Sequence, residues 1–249
     1  MPQGDSQCKF SYLRPMFRFK QFNVDQAGCA MKINTDGVLI GALAGAGRPD
    51  TILDIGTGTG VIALMLAQRF GAARIDAVEV DDTAALTAQR NFAGSPFAGR
   101  LAVYAESFEH YLGKRPDSRY DLIVTNPPFY LNALESPKAG KTLAKHADGQ
   151  FFDRLVRLAG RHLTANGELW LILPLPTSAW VKGIAADCGL KLRYKVNVLS
   201  YPDSEPHREI LVLGLGDDRE ADQQFVIYRE PKVYSQQYEA ALGPFFTIF

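Results

Sequence analysis

The chemistry-bearing residues of this 249-residue chain begin with three glycines in the run Asp54-Ile55-Gly56-Thr57-Gly58-Thr59-Gly60. They stand directly behind an apolar stretch, TILDI, and ahead of a helical pattern. Glycines at such a junction let a strand turn sharply into a helix and let backbone approach a ligand with no Cβ in the way. A dinucleotide fingerprint needs its third glycine one place later, where this chain has Val61. Asp54 would repel a pyrophosphate and suits a cationic ligand. Glu79, near the end of the next apolar run (IDAVEV), stands where an acid takes two ribose hydroxyls in doubly wound folds. An adenosyl ligand carrying ammonium and sulfonium charge satisfies both acids. The third apolar run, LAVYA, leads into Glu106 and Ser107; the Glu106 carboxylate can accept from the exocyclic amine of an adenine, and the plainer alternative is a helix cap.

The fourth run ends in Thr125-Asn126-Pro127-Pro128-Phe129-Tyr130. Two prolines after a buried strand remove two backbone donors and leave carbonyls with no ladder partner. The Asn126 carboxamide oxygen and the Pro127 carbonyl can then take the two hydrogens of a planar amine, while Phe129 stacks on the ring that bears it. That is a site for alkylating a conjugated nitrogen.

The elements that must position these groups follow from periodicity. From residue 51 onward, short apolar runs (51–55, 75–80, 101–105, 120–125 and 168–174) alternate with helical patterns at 60–70, 82–92, 107–112, 149–163 and 177–187. Such alternation means α/β with a largely parallel sheet and a ligand site at the carboxyl ends of the strands. Two further strands, 190–199 and 209–215, flank the turn-rich YPDSEPH and have no helix between them, so an antiparallel pair is expected. Residues 1–50 are expected to form an N-terminal extension with a small helix at 37–46. Residues 51–249 form the main domain, ending in an aromatic-rich tail (223–249) that packs back on it.

Lys+Arg and Asp+Glu both number 27, which excludes nucleic-acid or membrane binding by bulk positive charge alone. The basic residues are nevertheless clustered. Arg14, Arg18 and Lys20 lie among aromatics, and Lys138, Lys141, Lys145, Arg154, Arg157 and Arg161 follow the catalytic strand, a combination suited to RNA phosphates and base stacking. Cys8, Cys29 and Cys188 form no CxxC pair, and the four histidines have no metal-ligand spacing, so neither a disulfide framework nor a metal is assigned. No apolar run is long enough for a signal peptide or a membrane span, and a cytoplasmic protein is expected, with a monomer favoured.

The pairing of DIGTGTG with NPPF resembles the Rossmann-like class I S-adenosylmethionine-dependent amino-methyltransferases. Phe19-Lys20-Gln21-Phe22, Cys29-Ala30-Met31-Lys32, Thr35-Asp36-Gly37, LDIGTGTG, DLIVTNPPF and Pro206-His207-Arg208 are similar to the bacterial tRNA1(Val) adenine-N6 methyltransferase family, from about Phe17 to the C-terminus. This resemblance implies a seven-stranded, mostly parallel sheet and S-adenosyl-L-methionine as cofactor. It also implies methyl transfer to N6 of the adenosine at nucleotide 37, in the anticodon loop of a tRNA. By the same resemblance Asn126, Pro127, Pro128 and Phe129 are the catalytic residues. Thr35, Asp36, Asp54, Gly56, Gly58, Gly60, Glu79, Glu106 and Asn126 hold the cofactor, with the N-terminal extension across its cleft. The family more often has Tyr where this chain has Phe129, and Asp where it has Glu106. NPP loops also serve guanine-N2 methylation of rRNA and glutamine methylation of proteins. A non-catalytic RNA-binding scaffold is the alternative from another class.

Overall fold

The computed structural model describes residues 16–45, 47–127, 140–216 and 222–249, and over 140–149 the helical backbone alone. The expected start of the N-terminal extension, residues 1–15 with Cys8 and Arg14, lies outside them, as do Pro128, Phe129 and Lys138 and the side chains of Lys141 and Lys145.

The chain runs β1 (Met16–Arg18), β2 (Asn23–Asp25), α1 (Thr35–Leu43), β3 (Thr51–Ile55), α2 (Val61–Arg69), β4 (Arg74–Glu79), α3 (Asp82–Ala93), β5 (Leu101–Ala105), α4 (Phe108–Gly113), β6 (Tyr120–Thr125), α5 (Gly140–His162) and β7 (Leu163–Leu173). It continues through α6 (Leu175–Asp187), β8 (Lys191–Leu199), β9 (Pro206–Gly214), β10 (Asp222–Val226), β11 (Tyr228–Glu230), β12 (Val233–Tyr234) and α7 (Gln236–Leu242). The central sheet has the order β5-β4-β3-β6-β7-β9-β8-β10. Strands β3 to β7 are parallel, and β9 runs antiparallel to both β7 and β8, the expected antiparallel pair.

Among the described residues the sheet has eight strands where seven were expected. The addition is β10, which pairs parallel with β8 at the edge. Its sequence DQQFV buries Phe225 alone, because an edge strand needs only one inward side chain, and so it lacks the apolar alternation by which strands are recognised. Strand β7 starts five residues before the expected Glu168, with a register shift opposite Tyr120 and Leu122, and α5 begins at Gly140 rather than 149.

Alternation along each strand sends side chains to two cores. Ile52, Ile75, Ala77, Leu122 and Val124 meet α1, α2, α3 and α7 on one face. Leu53, Ile55, Val78, Ile123 and Leu171 meet α4, α5 and α6 on the other. Parallel strands covered on both faces must be apolar nearly throughout, as these are. The first core also takes in Phe19, Phe22 and Val24, so the described part of the N-terminal segment is packed against the same interior as the main sheet. The aromatic tail does pack back. Phe245 is buried, its carbonyl accepts from Lys20 N–H at 2.7 Å, and Phe246 bridges to Phe19. Lys20 Nζ also donates to the Gly243 carbonyl at 2.7 Å.

Candidate active site

Strand order reverses between β3 and β6: β4 and β5 continue to one side, β7 to the other. Open α/β sheets bind ligands outside the carboxyl ends of the strands at such a point. The glycine loop, Glu79 and Asn126 all follow strands at this edge.

The loop after β3 has Gly56, Gly58 and Gly60 at φ of 70°, 56° and 83°, the left-handed region that disfavours any side chain with a Cβ. Their surroundings differ. A Cβ on Gly56 or Gly58 would meet nothing within 4 Å, so these two form an open cradle. A Cβ on Gly60 would lie 2.5 Å from the Phe92 ring, so its freedom serves packing of the loop on α3. Gly56 and Thr57 N–H donate to the Val78 carbonyl at 2.9 and 3.1 Å, which ties the loop to β4.

Glu79 is held rigidly: one carboxylate oxygen accepts from Gly58 N–H at 2.9 Å and the other from Asp81 N–H at 3.0 Å. Val80, the next residue, is 73% exposed, an aliphatic face beside a charged one. Asp54 is wholly buried. Its Oδ2 accepts from the Thr57 hydroxyl at 2.6 Å, while Oδ1 has no partner among the described residues. Burial outweighs that hydrogen bond and pushes its carboxyl up to about 7. An orphaned buried carboxylate oxygen behind an open glycine cradle, with a rigid second acid beside it, suits a ligand that brings positive charge and hydroxyls.

At the end of β6, Thr125 Oγ1 donates to the Ile55 carbonyl at 2.9 Å, fastening β6 to β3. Asn126 Oδ1 is buried and without a partner among the described residues. A buried acceptor left unpaired costs about 1–3 kcal/mol, which a ligand's N–H donor removes. The first turn of α1 stands beside the same amide: a Cβ on Gly37 would lie 3.7 Å from Asn126 Nδ2. Thr35 is exposed in that turn and Asp36 is buried. The N-cap is Asn34, whose Oδ1 accepts from Gly37 N–H at 2.8 Å.

Glu106 lies 3.2 Å from the Lys114 ammonium, 3.7 Å from the Arg115 guanidinium and 3.5 Å from the His110 ring, while Ser107 caps α4. Any adenine amine at Glu106 would compete with these pairs. Of the clustered basic side chains, Arg154 pairs with Glu109 at 3.0 Å and Arg157 with Asp153 at 2.9 Å. Among the described residues no group of three His, Cys, Asp or Glu could hold a metal, and no helix is long and apolar enough to cross a membrane.

Two features went unread in the sequence. Residues 27–29 lie along α3 beside Glu79: Thr87 Oγ1 donates to the Ala27 carbonyl at 3.0 Å, and burial there raises the Cys29 thiol pKa. Arg208, at the start of β9, donates from Nε to Asp36 Oδ2 at 2.8 Å. Its only sequence signal was its place in the Pro206-His207-Arg208 block, which assigned it no role.

The switch point, the glycine turn and the two acids define a class I methyltransferase. Residues 34–178 match the family model for the methyltransferase small domain. The fold is similar to that of a predicted O-methyltransferase from Agrobacterium tumefaciens, with TM-score 0.65, 18% identity and coverage of 84% of this chain and 96% of that one. It is also similar to a ribosomal protein L11 methylase from Lactobacillus delbrueckii (TM-score 0.53, 18% identity, 77% and 83% covered). A tRNA1(Val) (adenine(37)-N6)-methyltransferase of Pedobacter heparinus is 44% identical over 95% of this chain and 100% of its own length. One of the same description from Porphyromonas gingivalis is 39% identical over 93% and 95%. The chain belongs to the tRNA1(Val) (adenine(37)-N6)-methyltransferase family.

Proposed function

We propose that the chain methylates the exocyclic N6 of the adenosine at nucleotide 37 of tRNA(Val), with S-adenosylmethionine as donor. The observation that carries this reading is the buried Asn126 Oδ1 at the end of β6, without a partner among the described residues, on the same sheet edge as the open cradle of Gly56 and Gly58. When bound, the donor supplies a methyl group on a sulfonium that a nitrogen lone pair can displace. Gly56 and Gly58 let it approach, Glu79 takes its ribose hydroxyls, and Asp54 offers negative charge behind the loop. Gly60 shapes the turn, Glu106 reaches for the adenine edge, and Thr35 and Asp36 lie towards the methionine end. The N-terminal segment up to residue 50 closes the cleft, supported by the run of residues 27–37 from α3 to Asn126.

Asn126 Oδ1 and the Pro127 carbonyl accept the two amine hydrogens and concentrate the lone pair on nitrogen. Phe129, after Pro128, stacks on the base. Bringing the adenosine out of an anticodon loop is cheap because loop bases are unpaired. The alkylated amine is acidic and loses its proton to water, so no strong base is required and catalysis rests on positioning and preorganised dipoles.

The test is incubation with labelled donor against separate tRNA, rRNA and protein fractions, followed by nucleoside mapping. N6-methyladenosine at nucleotide 37 is the expected product. Label confined to rRNA guanine or to protein would overturn the reading, as would donor binding without turnover on any fraction.

A further inference from the structure

Asp36 and Arg208 are 172 positions apart and meet at 2.8 Å. Asp36 is 8% exposed, in the first turn of α1, where the helix dipole favours an anion. Arg208 is held on its own strand: Nη1 donates to the His207 carbonyl at 2.9 Å, and the residue sits opposite Val198 in the β8–β9 ladder. The guanidinium is therefore presented by the sheet and not by a mobile loop. At His207 burial and the adjacent Arg208 charge lower the imidazole pKa against a smaller opposing pull from Asp36, which leaves Arg208 as the cation bonded to that carboxylate.

That same helical turn carries Gly37, which stands beside Asn126: a Cβ built there would lie 3.7 Å from Asn126 Nδ2, an ordinary van der Waals distance, and 3.4 Å from Asn34 Oδ1. The ion pair thus acts on a turn that lies beside the candidate catalytic amide. A buried carboxylate deprived of its cation is drawn towards another partner, water included, and the turn that carries it is drawn with it. Effective catalysis by a positioned polar group falls steeply with misplacement of about 1 Å.

We propose that Arg208 is a positioning residue: through its ion pair with Asp36 it fixes the first turn of α1 against Asn126, and so sets where the carboxamide oxygen meets the substrate amine. The proposal rests on the methyl-transfer reading above. Because Arg208 pairs with a carboxylate of its own chain, its loss is expected to act on the rate of methyl transfer rather than on RNA affinity.

The experiment is single-turnover methylation of tRNA by the wild-type chain, Arg208→Ala, Arg208→Lys, Asn126→Ala and the Arg208→Ala/Asn126→Ala double variant. The affinity for S-adenosylhomocysteine, the tRNA KM and its salt dependence are measured on each. Arg208→Ala is expected to lower the rate about 10-fold to 100-fold with less than about a threefold change in tRNA KM. Arg208→Lys should recover part of the rate by keeping the charge. In the Asn126→Ala background the Arg208→Ala change should cost nothing further, because the two act as a unit. An equal further loss in that background would overturn the proposal. So would a raised tRNA KM with a flatter salt dependence, which marks a phosphate contact, or a wild-type rate in Arg208→Ala. Failure of the wild-type chain to label tRNA would count against the methyl-transfer reading itself, which keeps the two outcomes apart.

Discussion

Replacing Asp54 with Asn should stabilise the ligand-free protein at pH 8 and cease to do so at pH 5. The carboxyl of Asp54 has no exposure, one oxygen without a partner among the described residues, and a pKa pushed up to about 7. In the unfolded chain it titrates at about 3.9. A folded value above the unfolded one means that its favourable contribution is complete below about pH 4 and is lost as pH rises through about 7. About three units at ~1.4 kcal/mol each set the cost of the buried charge at pH 8 near 4 kcal/mol. Asn keeps an oxygen for the Thr57 hydroxyl but leaves an unpaired amide donor, which costs about 1–3 kcal/mol. The variant should therefore gain about 1–3 kcal/mol at pH 8, and that gain should shrink steadily down to pH 5. Urea unfolding of both proteins without cofactor, at unit steps from pH 5 to 8, reads it directly. A difference that stays flat, or that grows as pH falls, would refute the idea that Asp54 carries a strained charge. The same variant should bind the donor less tightly, since the strain is what a cationic ligand relieves.

Asn126→Ala should lower kcat by about 10²-fold while leaving S-adenosylhomocysteine affinity nearly unchanged, because its lost interaction is with the amine; wild-type turnover would remove Asn126 from the mechanism. Glu79→Ala should weaken S-adenosylhomocysteine binding by about 1.5–3 kcal/mol per lost hydroxyl contact, read by calorimetry. It should also loosen the loop, whose Gly58 N–H loses its acceptor. Gly56→Ala and Gly60→Ala both pay about 1–2 kcal/mol for the left-handed backbone. Gly60→Ala adds a collision with Phe92 and should show the lower Tm, whereas Gly56→Ala should show the larger loss of cofactor affinity. Equal Tm values for the pair would count against the division of labour between them.

What could be read from the sequence was decided within a few residues. The glycine turn, Glu79 and Asn126 each sit at the end of a strand whose apolar run announces it, and parallel strands place all their carboxyl ends on one edge. Knowing the strands was enough to bring those residues together. Strand β10 escaped because its identity depends on β8 beside it, not on its own composition. The preference of Gly60 for packing over ligand approach escaped for a similar reason, since the Phe92 ring that decides it comes from the far end of α3.

Asp36 shows the limit most directly. Within Thr35-Asp36-Gly37 an acid ahead of a helical pattern reads as a cap, and capping is indeed settled across three residues. The cap is Asn34 instead, two positions earlier, and its bond to Gly37 N–H leaves the Asp36 carboxylate unneeded by its own helix. That displacement turns a local capping group into one available to a cation on β9. No spacing rule reaches from residue 36 to 208, because the pair exists only once α1 packs over the sheet and β9 returns antiparallel to set its first residues at the active-site edge. The long-range partner is therefore the part of the site that only the folded chain could supply, and it acts on the same turn that lies beside Asn126.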